Sequence, residues 1–319
     1  MIHCFILNPA AGKTERTEAL CREIETVCAE KGVRYEVYQT TCVGDATEYV
    51  KRRMAQDDEE TYCFYACGGD GTLCEVVNGV KAAKGEASVG LIPSGTGNDF
   101  ARNFTARERF FDIAAQLEGE AIAVDLIRCN DMYAINMVNV GFDCEVVVNT
   151  AQFKRKKWIP AGTAYIAGLV LTLLRKPGVR GMQSLDGGEA EEKRYLLNTY
   201  ANGCFCGGGF HSNPKASVTD GMLDAVLVNN VGRLKFLSLV GRYKKGTHLV
   251  PELASVLQNH KLRNVDMVFD GGANISVDGE VVRVDELHLS VEEKGIRFVI
   301  PNGSKLLKQA VEEKEAALV

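Results

Sequence analysis

Apolar positions along the chain recur with two periods, and the places where each period holds predict the order of the elements. The run Ile2-His3-Cys4-Phe5-Ile6-Leu7 predicts a strand, and Asn8-Pro9-Ala10-Ala11-Gly12 predicts the turn that ends it. Leu20, Ile24, Val27 and Cys28 then share one helical face until Lys31-Gly32, a stop signal. Val33 to Tyr38 predicts a second strand, and Ala46, Tyr49, Val50 and Met54 form the inward stripe of a helix that opens after Asp45. Tyr62 to Cys67 predicts a third strand that runs straight into Gly68-Gly69-Asp70-Gly71-Thr72. The helix after it turns Leu73, Val76, Val77 and Val80 inward. A fourth strand, Val89 to Ile92, opens onto Pro93-Ser94-Gly95-Thr96-Gly97-Asn98-Asp99. This βαβα alternation predicts an α/β domain with a parallel sheet wrapped by helices.

After about Val124 the texture changes. Tyr133 to Val140, Arg194 to Asn202, Leu223 to Val228, Asn274 to Val277, Val281 to Val284 and Leu287 to Val291 read as strands separated by Gly, Asp and Asn turns. They predict a mainly antiparallel β domain. The tail from Ser304 has a helical pattern and is expected to return to the first domain. The expected division is therefore 1–125, with a helix at 304–319, against 126–303.

Composition adds limits. A chain of 319 residues suits two domains, and 46% hydrophobic with 25% charged residues suits a globular protein. A formal net charge of −5 argues against a nucleic-acid partner. The 11 cysteines include no Cys-x-x-Cys pair and are expected to be reduced and inert. Met1 leads directly into the first strand with no signal-peptide pattern, so a cytoplasmic address is expected. Lys154-Arg155-Lys156-Lys157-Trp158, followed by the apolar stretch Ala161 to Leu174, is too short to span a bilayer. It suits either peripheral contact with anionic lipid at the inner face of the membrane or a core helix behind a solvated basic loop.

Three strand ends carry glycine with hydroxyl or amide side chains: 8–12, 68–72 and 93–99. Glycine lets backbone N–H groups approach a phosphate closely, so three such turns on one sheet edge suggest a nucleotide. Each turn alone is weak. Gly12-Lys13-Thr14 ends like a P-loop, but Leu7 stands where that motif needs glycine, and Phe100 stands where a dinucleotide fingerprint needs its third. Asp70 among small residues is placed for a Mg²⁺ that bridges phosphates, for the attacking hydroxyl, or simply for capping a helix. Asp99 has the same choices. Asp278-Gly279 between two apolar runs predicts a two-residue hairpin, which leaves Glu280 at the start of the returning strand. A lone Glu there is as readily an exposed charge on an edge strand.

In this order the motifs resemble the diacylglycerol kinase catalytic domain family, and especially its bacterial soluble lipid-kinase (YegS-like) branch. Asn-Pro-x-x-Gly stands at 8, Gly-Gly-Asp-Gly-Thr at 68, and Pro-x-Gly-Thr-x-Asn-Asp-Phe-Ala-Arg at 93–102. Gly207-Gly208-Gly209-Phe210, the stretch Pro214 to Asp224 and Val277-Asp278-Gly279-Glu280 continue the likeness. The resemblance implies a Rossmann-like parallel sheet with helices on both faces, of the kind shared by NAD kinases and diacylglycerol kinases, plus a β-sandwich second domain. It implies ATP held by Asn8, Pro9, Ala10, Ala11, Gly12, Thr40, Gly68, Gly69, Asp70, Gly71, Thr72 and Thr96. It implies a structural Mg²⁺ at Asp220 with Ser217 and Met222, and Glu280 as base beside an acidic network of Asp70 and Asp99. The implied activity is γ-phosphoryl transfer to a hydroxyl of a membrane lipid, diacylglycerol first, with a homodimer left open. An NAD kinase-like phosphotransferase and a non-catalytic nucleotide- or lipid-binding regulator are the alternatives.

Overall fold

The computed structural model describes residues 1–11, 14–56, 60–83, 85–154, 171–172 and 178–316. They divide into two units. The first is built on Met1–Leu126, Gly207–Gly209 and the chain from Glu293 onward; the second comprises Ile127–Cys206 and Phe210–Glu292.

In the first unit the strands are β1 (Ile2–Leu7), β2 (Tyr35–Gln39), β3 (Tyr62–Gly68) and β4 (Ala87–Pro93). They run parallel in the order β2-β1-β3-β4. Every residue of β3 and β4 is buried, which explains their nearly continuous apolar sequences. Helices α1 (Thr14–Lys31), α2 (Asp45–Met54), α3 (Asp70–Ala83) and α4 (Ile113–Leu117) fill the connections. Ile24 and Cys28 of α1 pack into a cluster with Phe5, Leu7, Tyr65 and Ile92. Contact between α2 and α3 requires a glycine, because a Cβ on Gly79 would lie 2.7 Å from the Val50 Cβ and 3.0 Å from the Thr47 carbonyl.

The second unit adds β5 (Glu120–Cys129, begun in the first unit), β6 (Met132–Ala134), β7 (Met137–Gly141), α5 (Phe142–Lys154), β8 (Val179–Leu185), β9 (Glu191–Ala201) and β10 (Leu223–Asn229). Then come α6 (Arg233–Lys245), β11 (Leu257–Leu262), β12 (Asn264–Val277) and β13 (Glu280–Ile300). Its pairings are antiparallel, in the order β11-β10-β9-β7-β12-β13, with β8 beside β9 and β12. Phe142, Val146, Leu197, Val226 and Leu257 form one core cluster here. Within the first unit, to which β13 belongs from Glu293 onward, Arg297 and Phe298 pair parallel with β4. Helix α7 (Leu307–Ala316) follows.

Two departures from the predicted elements have local causes. The segments 281–284 and 287–291 belong to one long strand, because charged Asp285-Glu286 breaks the apolar pattern without ending the strand. Strand β12 begins ten residues earlier than expected. The Gly271-Gly272 bulge, with φ of 80 and 77°, shifts its register and hides the alternation. Residues 155–160, and most of the stretch 161–174, lie outside the described residues, so the basic-apolar segment is not placed. Among the described residues no helix is long and apolar enough to cross a membrane.

His248 of the second unit is fully buried, with Nε2 3.0 Å from the Ser212 carbonyl oxygen. That contact requires a proton on Nε2, and burial holds the imidazole below its usual pKa. The unfolded chain therefore takes up a proton that the fold resists, so this contribution is present above about pH 6.5 and is lost as pH falls through the folded value. The urea midpoint is expected to drop between pH 7 and pH 5.5, and a His248→Gln variant, measured alongside, is expected to drop less.

Candidate active site

Strands β1, β3 and β4 are parallel neighbours, so the turns that follow them leave one edge of the sheet together. Asn8 fastens the first turn to the others. Its N–H donates to the Cys67 carbonyl at 3.0 Å, its amide donates to Thr72 Oγ1 at 2.9 Å, and its Oδ1 accepts from Ala10 N at 3.0 Å. Pro9, Ala10 and Ala11 form a single 3₁₀ turn, while Gly12 lies outside the described residues. Thr40, buried just past β2, donates both its N–H (2.9 Å) and its hydroxyl (3.3 Å) to the Leu7 carbonyl, so it secures the strand end.

The turns after β3 and β4 meet backbone to backbone. Ser94 N donates to the Gly68 carbonyl at 2.8 Å, and a Cβ on Gly95 would stand 2.7 Å from the Gly69 Cα. Gly68 is equally confined, since a Cβ there would lie 2.2 Å from Thr72 Oγ1, which Asn8 holds in place. Replacing Gly68 by Ala is therefore expected to destabilise the protein by about 1–3 kcal/mol, as overpacking of a filled site does. Urea unfolding checks the loss.

Asp70 begins α3, yet its carboxylate reaches the neighbouring turn instead of capping its own helix. Oδ2 accepts from Asp99 N and Oδ1 from Phe100 N, both at 3.1 Å. Burial raises its pKa above the ordinary carboxylate range; the Asp99 charge adds to the rise and the two N–H groups oppose it. Asp99 is buried too. Its Oδ1 accepts from Arg102 Nε at 3.1 Å and its Oδ2 from Gly208 N at 2.8 Å. Arg102 also donates to the Gly97 carbonyl at 3.2 Å. Gly207, Gly208 and Gly209 have φ of 56, 80 and 108°, three successive positive values that favour glycine, and a Cβ on Gly209 would press on the Arg102 guanidinium at 3.1 Å.

This framework fits phosphate. Asp70, Gly71 and Thr72 fall in the first turn of a 14-residue helix, where N–H groups lack intrahelical partners and the dipole favours an anion. Gly69, Asp70 and Gly71 remain partly open to water. A Cβ on Gly97 would lie 3.0 Å from Asp70 Oδ2 and 3.5 Å from Asp99 Oδ2, so the two carboxylates converge on a spot that glycine keeps clear. Thr96 is exposed on the same turn.

In the second unit Glu280 starts β13, half-exposed, directly after the Asp278-Gly279 turn, whose φ values are 46 and 96°. Ser217, Asp220 and Met222 sit on a surface turn. Asp220 Oδ1 accepts from Met222 N at 3.2 Å, and Oδ2 receives the Lys261 ammonium at 2.8 Å. Lys261 also donates to the Lys215 carbonyl at 3.2 Å and lies 3.7 Å from buried Asp224. A divalent ion at this turn would have to displace that ammonium. Sequence reasoning passed over Arg102, Gly208, Asp278 and Lys261 as partners of the site residues. Arg102 and the glycine run stood within the recognised motifs, but nothing in their spacing said that Asp99 would hold both.

Residues 3–129 match the family model described as the diacylglycerol kinase catalytic domain. Residues 136–298, more than half of the chain, match the one described as the YegS C-terminal NAD kinase beta sandwich-like domain. A diacylglycerol kinase of Staphylococcus carnosus is 29% identical over 280 residues, covering 84% of this chain and 87% of its own length. A diacylglycerol kinase of Bacillus subtilis is 27% identical over 289 residues, covering 88% and 92%. The crystal structure of a diacylglycerol kinase from Bacillus anthracis shares the fold, with a TM-score of 0.69 at 19% identity over 94% of this chain and 97% of the other. The chain belongs to the diacylglycerol kinase catalytic domain family, in its YegS-like lipid-kinase branch, and is an enzyme of the kinase type.

Proposed function

We propose that the protein transfers the γ-phosphoryl group of ATP to a hydroxyl of a membrane lipid, with diacylglycerol as acceptor and phosphatidic acid as product. The observation that carries this reading is the Asp70 carboxylate, which knits two glycine turns into one rigid rim at the start of α3. In it, residues 1–125 act as a Rossmann-like nucleotide domain with helices on both sheet faces, and residues 126–303 serve the acceptor at the membrane surface.

A lipid hydroxyl is a weak nucleophile and a triphosphate repels it, so positioning and charge neutralisation must supply the rate. Backbone N–H groups of the turns at 69–72 and 96–97 bind the phosphates, while the turn at 8–11, whose N–H groups are spent within the framework, and Thr72 hold those turns in place. Asp70 and Asp99 are the residues that would hold Mg²⁺, which when bound offsets phosphate charge. Glu280 takes the hydroxyl proton as the lipid oxygen bonds to the γ-phosphorus; the bond from that phosphorus to the bridging oxygen breaks and ADP leaves. A structural Mg²⁺ at Ser217, Asp220 and Met222 remains part of the proposal, on condition that Lys261 gives up Asp220. The test is ADP release with and without mixed vesicles that contain diacylglycerol. Release that requires the lipid supports the reading; ATP binding without lipid-dependent turnover would favour the regulator instead.

A further inference from the structure

Asp278 is a buried carboxylate in the second unit that the proposed mechanism does not use. It is 5% exposed and occupies the left-handed region at φ 46°, in the tightest part of the turn between β12 and β13. Its side chain turns back into the unit and accepts three successive backbone N–H groups: Ile135 N on Oδ2 at 2.7 Å, and Asn136 N and Met137 N on Oδ1 at 3.0 and 2.8 Å. Its own N–H donates to the Met137 carbonyl at 3.0 Å. One residue thus makes four hydrogen bonds to a single three-residue segment.

That segment is itself anchored. The Asn136 carbonyl accepts from Asn202 N (2.9 Å) and Gly203 N (3.0 Å), and the Asn136 amide donates to the Phe205 carbonyl at 2.9 Å. A two-residue turn needs only residues that tolerate positive φ, and Asn-Gly would serve as well as Asp-Gly. A carboxylate with three N–H donors goes far beyond that need. Charge-assisted bonds of this kind are roughly twice as strong as neutral ones and fix direction as well as distance. The residue they fix lies two positions on: Val277 pairs with Glu280 across the turn, so the place where Glu280 leaves the backbone is set by how Asp278 is held.

We propose that Asp278 is a positioning residue for phosphoryl transfer, whose three-point anchorage to Ile135, Asn136 and Met137 sets the direction in which Glu280 presents its carboxylate. This rests on the kinase reading and on Glu280 as base. A misplacement of about 1 Å can lower a rate by 10²-fold while leaving substrate affinity little changed.

The test is a double-mutant cycle on the full chain, with labelled ATP and diacylglycerol in mixed vesicles. Asp278→Asn keeps the turn conformation but sets an amide NH₂ where a backbone N–H points. Its kcat is expected to fall about 10- to 100-fold with KM for ATP within threefold of wild type. In a Glu280→Gln background the same substitution is expected to change the residual rate less than twofold, because its effect passes through Glu280. Wild-type kcat in Asp278→Asn, or an equal loss in both backgrounds, overturns the inference. Should Asp278→Asn not fold, Asp278→Glu decides alone. It keeps the charge but carries the carboxylate roughly 1.5 Å further, so the inference expects a lower kcat and a purely structural need for charge expects none. Wild-type protein that labels no lipid overturns the kinase reading, and this inference with it, so the two failures are told apart.

Discussion

Glu280→Gln is expected to lower kcat for lipid phosphorylation by about 10²- to 10⁴-fold, the share that a positioned general base contributes. Gln matches Glu in size and hydrogen-bonding reach but cannot take the hydroxyl proton. The backbone pairing of position 280 with Val277 does not involve the carboxylate, so the hairpin is expected to survive the change. The glycine turns proposed to hold ATP belong to the first unit and are untouched, so ATP affinity is expected to stay within about twofold, well under 1 kcal/mol. Steady-state kinetics with lipid acceptor, together with calorimetric ATP binding, checks both parts. A variant that retains wild-type kcat removes Glu280 as the base.

The second large effect is expected at Asp70. Asp70→Ala leaves Asp99 N and Phe100 N without their acceptor in a mostly buried site, a loss of about 2–4 kcal/mol at the usual penalty per buried donor. Loss of a helix cap alone would cost about 1 kcal/mol, so the size of the change distinguishes the two roles. Asp70→Asn should fall between. Because burial raises the Asp70 pKa, the fold holds that proton to higher pH than the unfolded chain does. Ionisation therefore weakens the fold as pH rises from the ordinary carboxylate range through the folded value, and removal of the charge offsets part of the lost hydrogen bonding at neutral pH. Both variants are expected to lose ATP binding, since the two turns no longer keep their spacing. Urea unfolding and ATP titration of the pair, side by side, give the comparison.

Much of the first unit was legible because its buried strands and helical stripes follow simple periods. Leu73, Val76, Val77 and Val80 were expected inward from spacing, and all four are buried. The second unit was harder. Its helices α5 and α6 were not anticipated, because Phe142–Lys154 follows a strand without a turn signal and Arg233–Lys245 mixes charges through its apolar face. The glycine turns could be located in the sequence but not their mutual contacts. That Gly95 must be glycine to pass Gly69, or that Asp70 addresses the turn 29 residues ahead, depends on tertiary approach rather than on local pattern. Asp278 was legible as a turn former and illegible as an anchor, because its three donors lie more than 140 residues earlier in the chain.

Transfer of label from [γ-³²P]ATP, offered in one reaction to diacylglycerol, a sphingoid base, a polyprenol and NAD, tests the central claim most directly. The account predicts label in the lipid fraction, first as phosphatidic acid, dependent on Mg²⁺ and lost in Glu280→Gln. Label in NADP with none in any lipid, or no transfer at all by folded, ATP-binding protein, would contradict it.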